Sequence, residues 1–239
     1  MHTLQKTPLY EKEGIDDMQQ LFYHDFPYRP FTAAYEHLQS SPSSKAFIRL
    51  FHAAPDLSEL AVYVNRKQLM KTMPYSHLTA YMEWDEGMYE IEVFKLATNE
   101  KILHSRIQFK SGEVYTLCIT GARAGFALLT EQQTTWIEQE ENLSTLTFVQ
   151  LSPDLPSIDI YERDQGIISK ELDYVNSTHI HHFSPNKYHF ELKAAGTQSV
   201  LLDIPKVHLQ TKRAYLILLH GFANGEPELM AKVVLSRQI

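Results

Sequence analysis

Arg49–Val64 reads RLFHAAPDLSELAVYV, and Thr147–Glu162 reads TFVQLSPDLPSIDIYE. Pro55-Asp56-Leu57 superimposes on Pro153-Asp154-Leu155, and Leu60, Val62 and Tyr63 fall on Ile158, Ile160 and Tyr161, an offset of 98. Working outward, Tyr89, Ile91 and Val93 match Tyr188, Phe190 and Leu192 at 99. Ile107, Phe109, Tyr115 and Gly121 match Val207, Leu209, Tyr215 and Gly221 at 100. An offset that drifts one residue at a time is what small loop insertions produce. A period near 100 is the length of a whole small domain, too long for a solenoid unit. The chain reads as two copies of one domain.

Inside each copy the apolar period is two. Leu60, Val62 and Val64 alternate with Ala61 and Tyr63; Tyr89, Ile91 and Val93 alternate with Glu90 and Glu92. Side chains that alternate over short runs, punctuated by Pro, Gly, Ser and Asn, make half-buried strands joined by tight turns. The first copy carries about seven, near 46–53, 60–65, 77–84, 88–95, 102–109, 113–120 and 126–130. That density predicts an all-β chain of two tandem antiparallel β-sandwiches. The inward face is expected to hold Leu60, Val62, Trp84, Ile91, Val93, Ile107 and Phe109. Ile158, Ile160, Phe190, Leu192, Val207 and Leu209 are the counterparts.

The domains are drawn as an N-terminal arm at 1–45, sandwiches at 46–130 and 145–239, and a linker at 131–144. Ile15, Met18, Leu21 and Phe22 fall at helical spacing, and Pro27 and Pro30 stop a continuous helix, so the arm is expected to be partly helical and to add no strand. It reads either as packed onto the first sandwich or as a docking peptide for a protein partner. In the second case Phe22, Tyr23, Phe26, Tyr28 and Phe31 make the contacts.

The motifs HAAPDLSELAVYV and QLSPDLPSIDIYE resemble the family catalogued as domain of unknown function 4397. So do Pro74-Tyr75, the run Gly87-Met88-Tyr89-Glu90-Ile91, and Gly112-Glu113-Val114-Tyr115-Thr116. The second copy departs at Gln150 for His52, Asn186 for Gly87 and Lys212 for Gly112. The resemblance covers roughly 46–239. It implies an immunoglobulin- or transthyretin-like sandwich, often tandem and often bacterial, and it implies no activity.

Composition narrows the function classes. With 22 Lys+Arg against 29 Asp+Glu the formal charge is −7, and no basic run offers a phosphate-backbone surface, so no nucleic-acid partner is expected. One Cys excludes an internal disulfide framework. The longest apolar run, Ala214–Leu219, is far short of a transmembrane span. The opening MHTLQKTPLYEKEG has no apolar stretch of signal-peptide type, so a cytoplasmic location is expected, with deposition on a bacterial spore surface as the alternative.

Familiar catalytic signatures such as G-x-S-x-G, H-E-x-x-H and the phosphate-loop motif are missing from the sequence, and neither an enzyme nor a cofactor is expected. Cys118 sits in an alternating strand and reads as a structural thiol. Asp56 and Asp154 each follow Pro at one point of the repeat, and each is expected to cap its own turn. Tyr75 and Tyr81 are candidate stacking platforms for a small ligand or glycan.

The 12 His are the one unusual count. If the SPNK loop pairs Phe183 with Tyr188, then His182 and His189 oppose each other on the outward face, with Glu191 one pair away. It reads first as a solvent-facing polar pair; the alternatives are that it chelates a metal or senses pH. His179 is expected to point inward. The function expected first is a non-catalytic interaction protein that binds a protein partner or itself.

Overall fold

The computed structural model describes residues 2–3, 5–6, 45–121, 125–131 and 142–238. Two compact units divide the chain, one over Gln5–Gln133 and one over Thr134–Ile239 with Met1–Leu4. All the secondary structure among the described residues is strand.

The first unit contains β2 (Gln5–Lys6), β3 (Lys45–His52), β4 (Glu59–Val64), β5 (Lys67–Pro74) and β6 (Met82–Asp85). Then come β7 (Gly87–Lys95), β8 (Glu100–Phe109), β9 (Val114–Gly121) and β10 (Gly125–Glu131). They form two sheets, ordered β2-β10-β9-β3-β6 and β5-β4-β7-β8. Ala46, Ile48 and Leu50 of β3 meet Leu60, Val62, Ile91, Val93 and Phe109 of the other sheet in one core. All seven expected core residues of this unit are buried. A one-residue slip would turn each of them to the other face, so the apolar alternation fixes the register.

The second unit contains β1 (His2–Thr3), β11 (Ser144–Gln150), β12 (Ile158–Glu162), β13 (Gly166–Leu172) and β14 (Asn176–Ser177). After these run β15 (His181–Phe183), β16 (Asn186–Ala194), β17 (Val200–Leu209), β18 (Arg213–His220) and β19 (Met230–Gln238). Its sheets are β1-β14-β11-β18-β19, with β15 also on β11, and β13-β12-β16-β17. Apart from the two-residue strands β1, β2 and β14, which have no matching places, this is the order of the first unit, and the six expected counterparts are buried too.

Side-chain bonds recur with the strands. Thr79 Oγ1 accepts from Leu50 N and donates to Ala80 O; Thr178 Oγ1 accepts from Phe148 N and donates to His179 O. The Tyr115 hydroxyl accepts from Lys110 N at 3.1 Å, and the Tyr215 hydroxyl accepts from Gln210 N at 3.1 Å. The sequence departures preserve such roles. His52 Nδ1 accepts from Ala54 N, and Gln150 Oε1 accepts from Ser152 N, so either side chain closes the turn that follows the strand. Gly112 and Lys212 both take a left-handed φ, at 77° and 57°.

Four expectations change. The sandwiches are not purely antiparallel, because β3 pairs β9 and β11 pairs β18 in parallel. Nor is the order that of an antibody domain, whose first two strands share a sheet; β3 and β4 lie in opposite sheets. An unexpected strand, β5, appears where KQLMKTMP buries only Met73, an edge strand with too little apolar alternation to announce itself. The N-terminal segment does add strands, since Gln5–Lys6 pairs with β10 and His2–Thr3 with β14. The expected arm helix and the docking residues Phe22, Tyr23, Phe26, Tyr28 and Phe31 lie outside the described residues.

Candidate functional site

Of the two tyrosines expected as platforms, Tyr75 is half-buried and only Tyr81 is closed off. Tyr81 is buried, and its hydroxyl donates to the Glu131 carboxylate at 2.7 Å. The Arg49 guanidinium lies 4.5 Å over the Tyr81 ring, and its Nη2 stands 3.1 Å from Glu131 Oε1. Arg49 Nε donates to Thr116 Oγ1 at 2.8 Å, and Thr116 Oγ1 donates in turn to Glu131. Arg49, Thr116 and Glu131 face away from the shared core on β3, β9 and β10, and Tyr81 lies just before β6, yet all four are buried. Tyr75 stands edge-on to His52 at 5.8 Å, and burial pushes its phenol up to about 12. Aromatic type alone did not reveal that the Tyr81 ring is buried against Arg49.

Cys118 is buried, and burial pushes its thiol up to about 12, so it has no nucleophile character. Asp154 does more than cap its own turn. It accepts from Ala223 N at 2.7 Å and Asn224 N at 3.1 Å, which ties a loop some 70 residues away to the strand end. Asp56 is exposed.

The expected opposition of His182 and His189 does not occur. His182 on β15 pairs with Thr145 of β11, whereas His189 lies on β16 in the other sheet, so the SPNK loop crosses between sheets instead of closing a hairpin. His179, expected inward, is exposed. His189 and Glu191 do share the outward face of β16, and their third neighbour is Asp203 of β17. One ligand atom from each of these three lies within 4.8 Å of the other two.

A bulge creates this grouping. Tyr188 pairs with Val207, but Phe190 pairs with Ile204, one residue out of step. The slip falls at Pro205-Lys206, where Lys206 takes a φ of 59°. Without it Glu191 would face Ile204; with it Asp203 stands opposite Glu191. A proline inside a strand is the sequence signal that could have located the bulge.

Two cations complete the cluster. Arg163 Nη2 lies 3.0 Å from His189 Nε2 and 3.7 Å from Glu191 Oε1, and Lys193 Nζ lies 3.3 Å from Glu191 Oε2. Lys193 also sits 4.2 Å over the Tyr161 ring. Tyr161 borders a hollow of about 420 Å³ that Asp159, Lys170, Gly196 and Gln198 help to line. The first unit has a related lattice with the polarity exchanged. Glu90 stands where the second unit has His189, and His104, opposite Glu92, stands where it has Asp203. His104 Nε2 contacts Glu90 Oε1 at 2.8 Å, and Lys101 bonds Glu92 at 3.0 Å. The core positions repeat; the pairing of the last two strands of this sheet and the chemistry of their outward face do not.

Buried His220 supplies a pH dependence. Burial, reinforced by the Lys232 charge, lowers its pKa to about 4. The native state then resists a proton that the unfolded chain binds near 6.5. Stability from this group is full above the unfolded value and is lost as pH falls through 6.5 toward 4, by roughly 3 kcal/mol at most. His181 has the same sign, lowered by burial and by His179 and His182. Urea unfolding at pH 7 and pH 4.5 is expected to show this loss in the second unit, and His220→Gln to reduce it. An unchanged pH slope in that variant would remove His220 from the account.

The family model described as "Domain of unknown function (DUF4397)" matches residues 46–161, ending inside β12. No curated protein matches the chain. Among solved structures, a carbohydrate-binding module of family CBM26 from Eubacterium rectale Amy13K, crystallised with maltoheptaose, is 13% identical. The alignment covers 82% of this chain and 97% of that one, at a TM-score of 0.24. A candidate cell adhesion protein from Parabacteroides distasonis is 12% identical, with 81% and 96% covered and a TM-score of 0.24. Another from Bacteroides ovatus is 8% identical, with 83% and 98% covered and a TM-score of 0.27. At scores this low the likenesses carry no argument about what the chain does. Among the described residues no helix is long and apolar enough to cross a membrane.

Proposed function

We propose that this chain, whose residues 46–161 match the DUF4397 family model, a family whose description names no reaction, is a non-catalytic binding protein built from two tandem sandwich modules. One observation carries the reading. The two units share the order of their longer strands and their core positions and diverge on the outward face, where Glu90 and His104 give way to His189 and Asp203. A common scaffold with a changed surface suits recognition, because specificity resides in the surface residues a fold displays. Two buried carboxylates are committed to structure: Glu131 pairs with Arg49, and Asp159 accepts from Glu171 N and Gly196 N, both at 3.0 Å.

The partner we propose is a protein held by the aromatic segment Phe22–Phe31, in a bacterial surface or spore-associated assembly. A second reading, a small polar ligand, rests on the hollow beside Tyr161. One experiment separates them. Full-length chain is cross-linked in its native cells, alongside Phe22→Ala/Phe26→Ala/Phe31→Ala and Tyr161→Ala variants. A protein adduct lost in the triple variant and kept in Tyr161→Ala supports arm docking. An adduct that survives the triple variant, or no adduct at all, overturns it.

A further inference from the structure

We propose that His189, Glu191 and Asp203 form a divalent transition-metal site, zinc being the best chemical match, on the outward face of the second unit. The three residues offer one imidazole nitrogen and two carboxylates. That donor set suits zinc, whose sites combine His nitrogen with Asp or Glu oxygen and leave a position for water or an exogenous donor. All three project from adjacent positions of two paired strands, so the backbone sets their spacing. Zinc bonds of about 2.0–2.2 Å set tetrahedral ligand atoms about 3.4 Å apart, inside the 4.8 Å limit within which these three lie, and side-chain rotation of Asp203 opens its direct contact with His189 to admit the ion.

A conflict at His189 Nε2 is the second observation. This atom meets Arg163 Nη2, which can only donate, and Asp203 Oδ1, a carboxylate oxygen that accepts. If Nε2 carries a proton it faces the guanidinium N–H; if it does not, its lone pair faces the carboxylate. Neither tautomer satisfies both neighbours. A cation between the imidazole and the carboxylates satisfies every acceptor at once, with the ring proton on Nδ1. Arg163 Nη2 already places positive charge between His189 Nε2 and Glu191 Oε1. Its side chain is 56% exposed, so it can swing out when a metal enters. Lys193 holds the other oxygen, Glu191 Oε2. The first unit has Glu90, Glu92 and His104 on the related face, but the bulge at Pro205-Lys206 has no counterpart between Tyr89 and Val93, where the pairing with β8 is unbroken.

The test is calorimetric titration of the full-length, tag-free chain with zinc chloride at pH 7.5. Asp203→Asn is expected to weaken binding at least about 10-fold and His189→Ala to do the same. Asp203 is half exposed, and an unchanged far-UV circular dichroism spectrum confirms that its variant is folded. Arg163→Ala is expected to tighten binding, by about 5-fold, because it removes the competing cation. His182→Ala and His104→Ala leave it unchanged. Absence of zinc binding by the parent chain overturns the proposal. So does unchanged affinity in Asp203→Asn, or equal weakening by His182→Ala, either of which would put the metal elsewhere among the 12 His.

Discussion

Arg49→Met is expected to destabilise the first unit by about 3–5 kcal/mol, because it removes the counter-charge of the buried Glu131 carboxylate. Arg49 and Glu131 have side chains 4% and 1% exposed, so water cannot take over the lost partner. Tyr81 and Thr116 still donate to the carboxylate, which places the effect below that of a bare buried ion. The double variant Arg49→Met/Glu131→Leu is expected to recover most of the loss, since a buried pair replaced by apolar groups of similar volume costs little. Urea unfolding of the two single variants and the double variant measures the coupling. A loss below about 1 kcal/mol for Arg49→Met would mean that solvent reaches the pair.

Gly221→Ala is expected to destabilise the second unit by about 2–5 kcal/mol, from two effects that add. The residue has a φ of 99°, and an added Cβ would stand 2.1 Å from Glu228 O and 2.7 Å from its carbonyl carbon. Backbone cannot rotate out of the way as a side-chain end can. The loop is held from both sides, by Phe222 N donating to Pro227 O and by the two bonds to Asp154. Gly112→Ala is the control: its φ of 77° brings strain, but nothing lies within 4 Å of the new methyl. It is expected to cost only about 1–2 kcal/mol, and Lys212 occupies the related turn with a φ of 57°. Equal thermal shifts in the two variants would show that the loop moves aside.

The residues explain where sequence reading succeeded and where it stopped. Leu60, Val62, Ile91, Val93 and their counterparts were legible because period-two alternation and burial have one cause. The parallel pairing of β3 with β9 was not, since alternation reports which face a residue takes and not the direction of the neighbouring strand. Arg49 and Glu131 escaped notice because charged residues are exposed by default, and only the fold brings these two, 82 residues apart, together. Half of the His cluster was legible. Face parity put His189 beside Glu191, but a hairpin drawn across the SPNK loop supplied His182. The actual third member, Asp203, comes into line through a bulge that shifts the register by one. Tyr81 failed for a simpler reason: an aromatic ring with a hydroxyl serves a buried carboxylate as readily as it serves a ligand.

The parallel pairs also determine when each unit can form during synthesis. Phe47 meets Val114 and Thr145 meets Ala214, separations of 67 and 69 residues. No hairpin can nucleate such a contact, because it joins the first long strand of each unit to its penultimate one, across the whole opposite sheet. On the ribosome β3 can pair with β6 early, but its other edge stays unpaired until residues up to Gly121 have emerged, and β11, which can take β14 and β15 early, waits on its other edge until His220 has. Each unit closes late and as a whole, in the slow range typical of folds dominated by distant contacts. A chain that stalls between those points exposes a long apolar strand, which is the state a chaperone would have to hold.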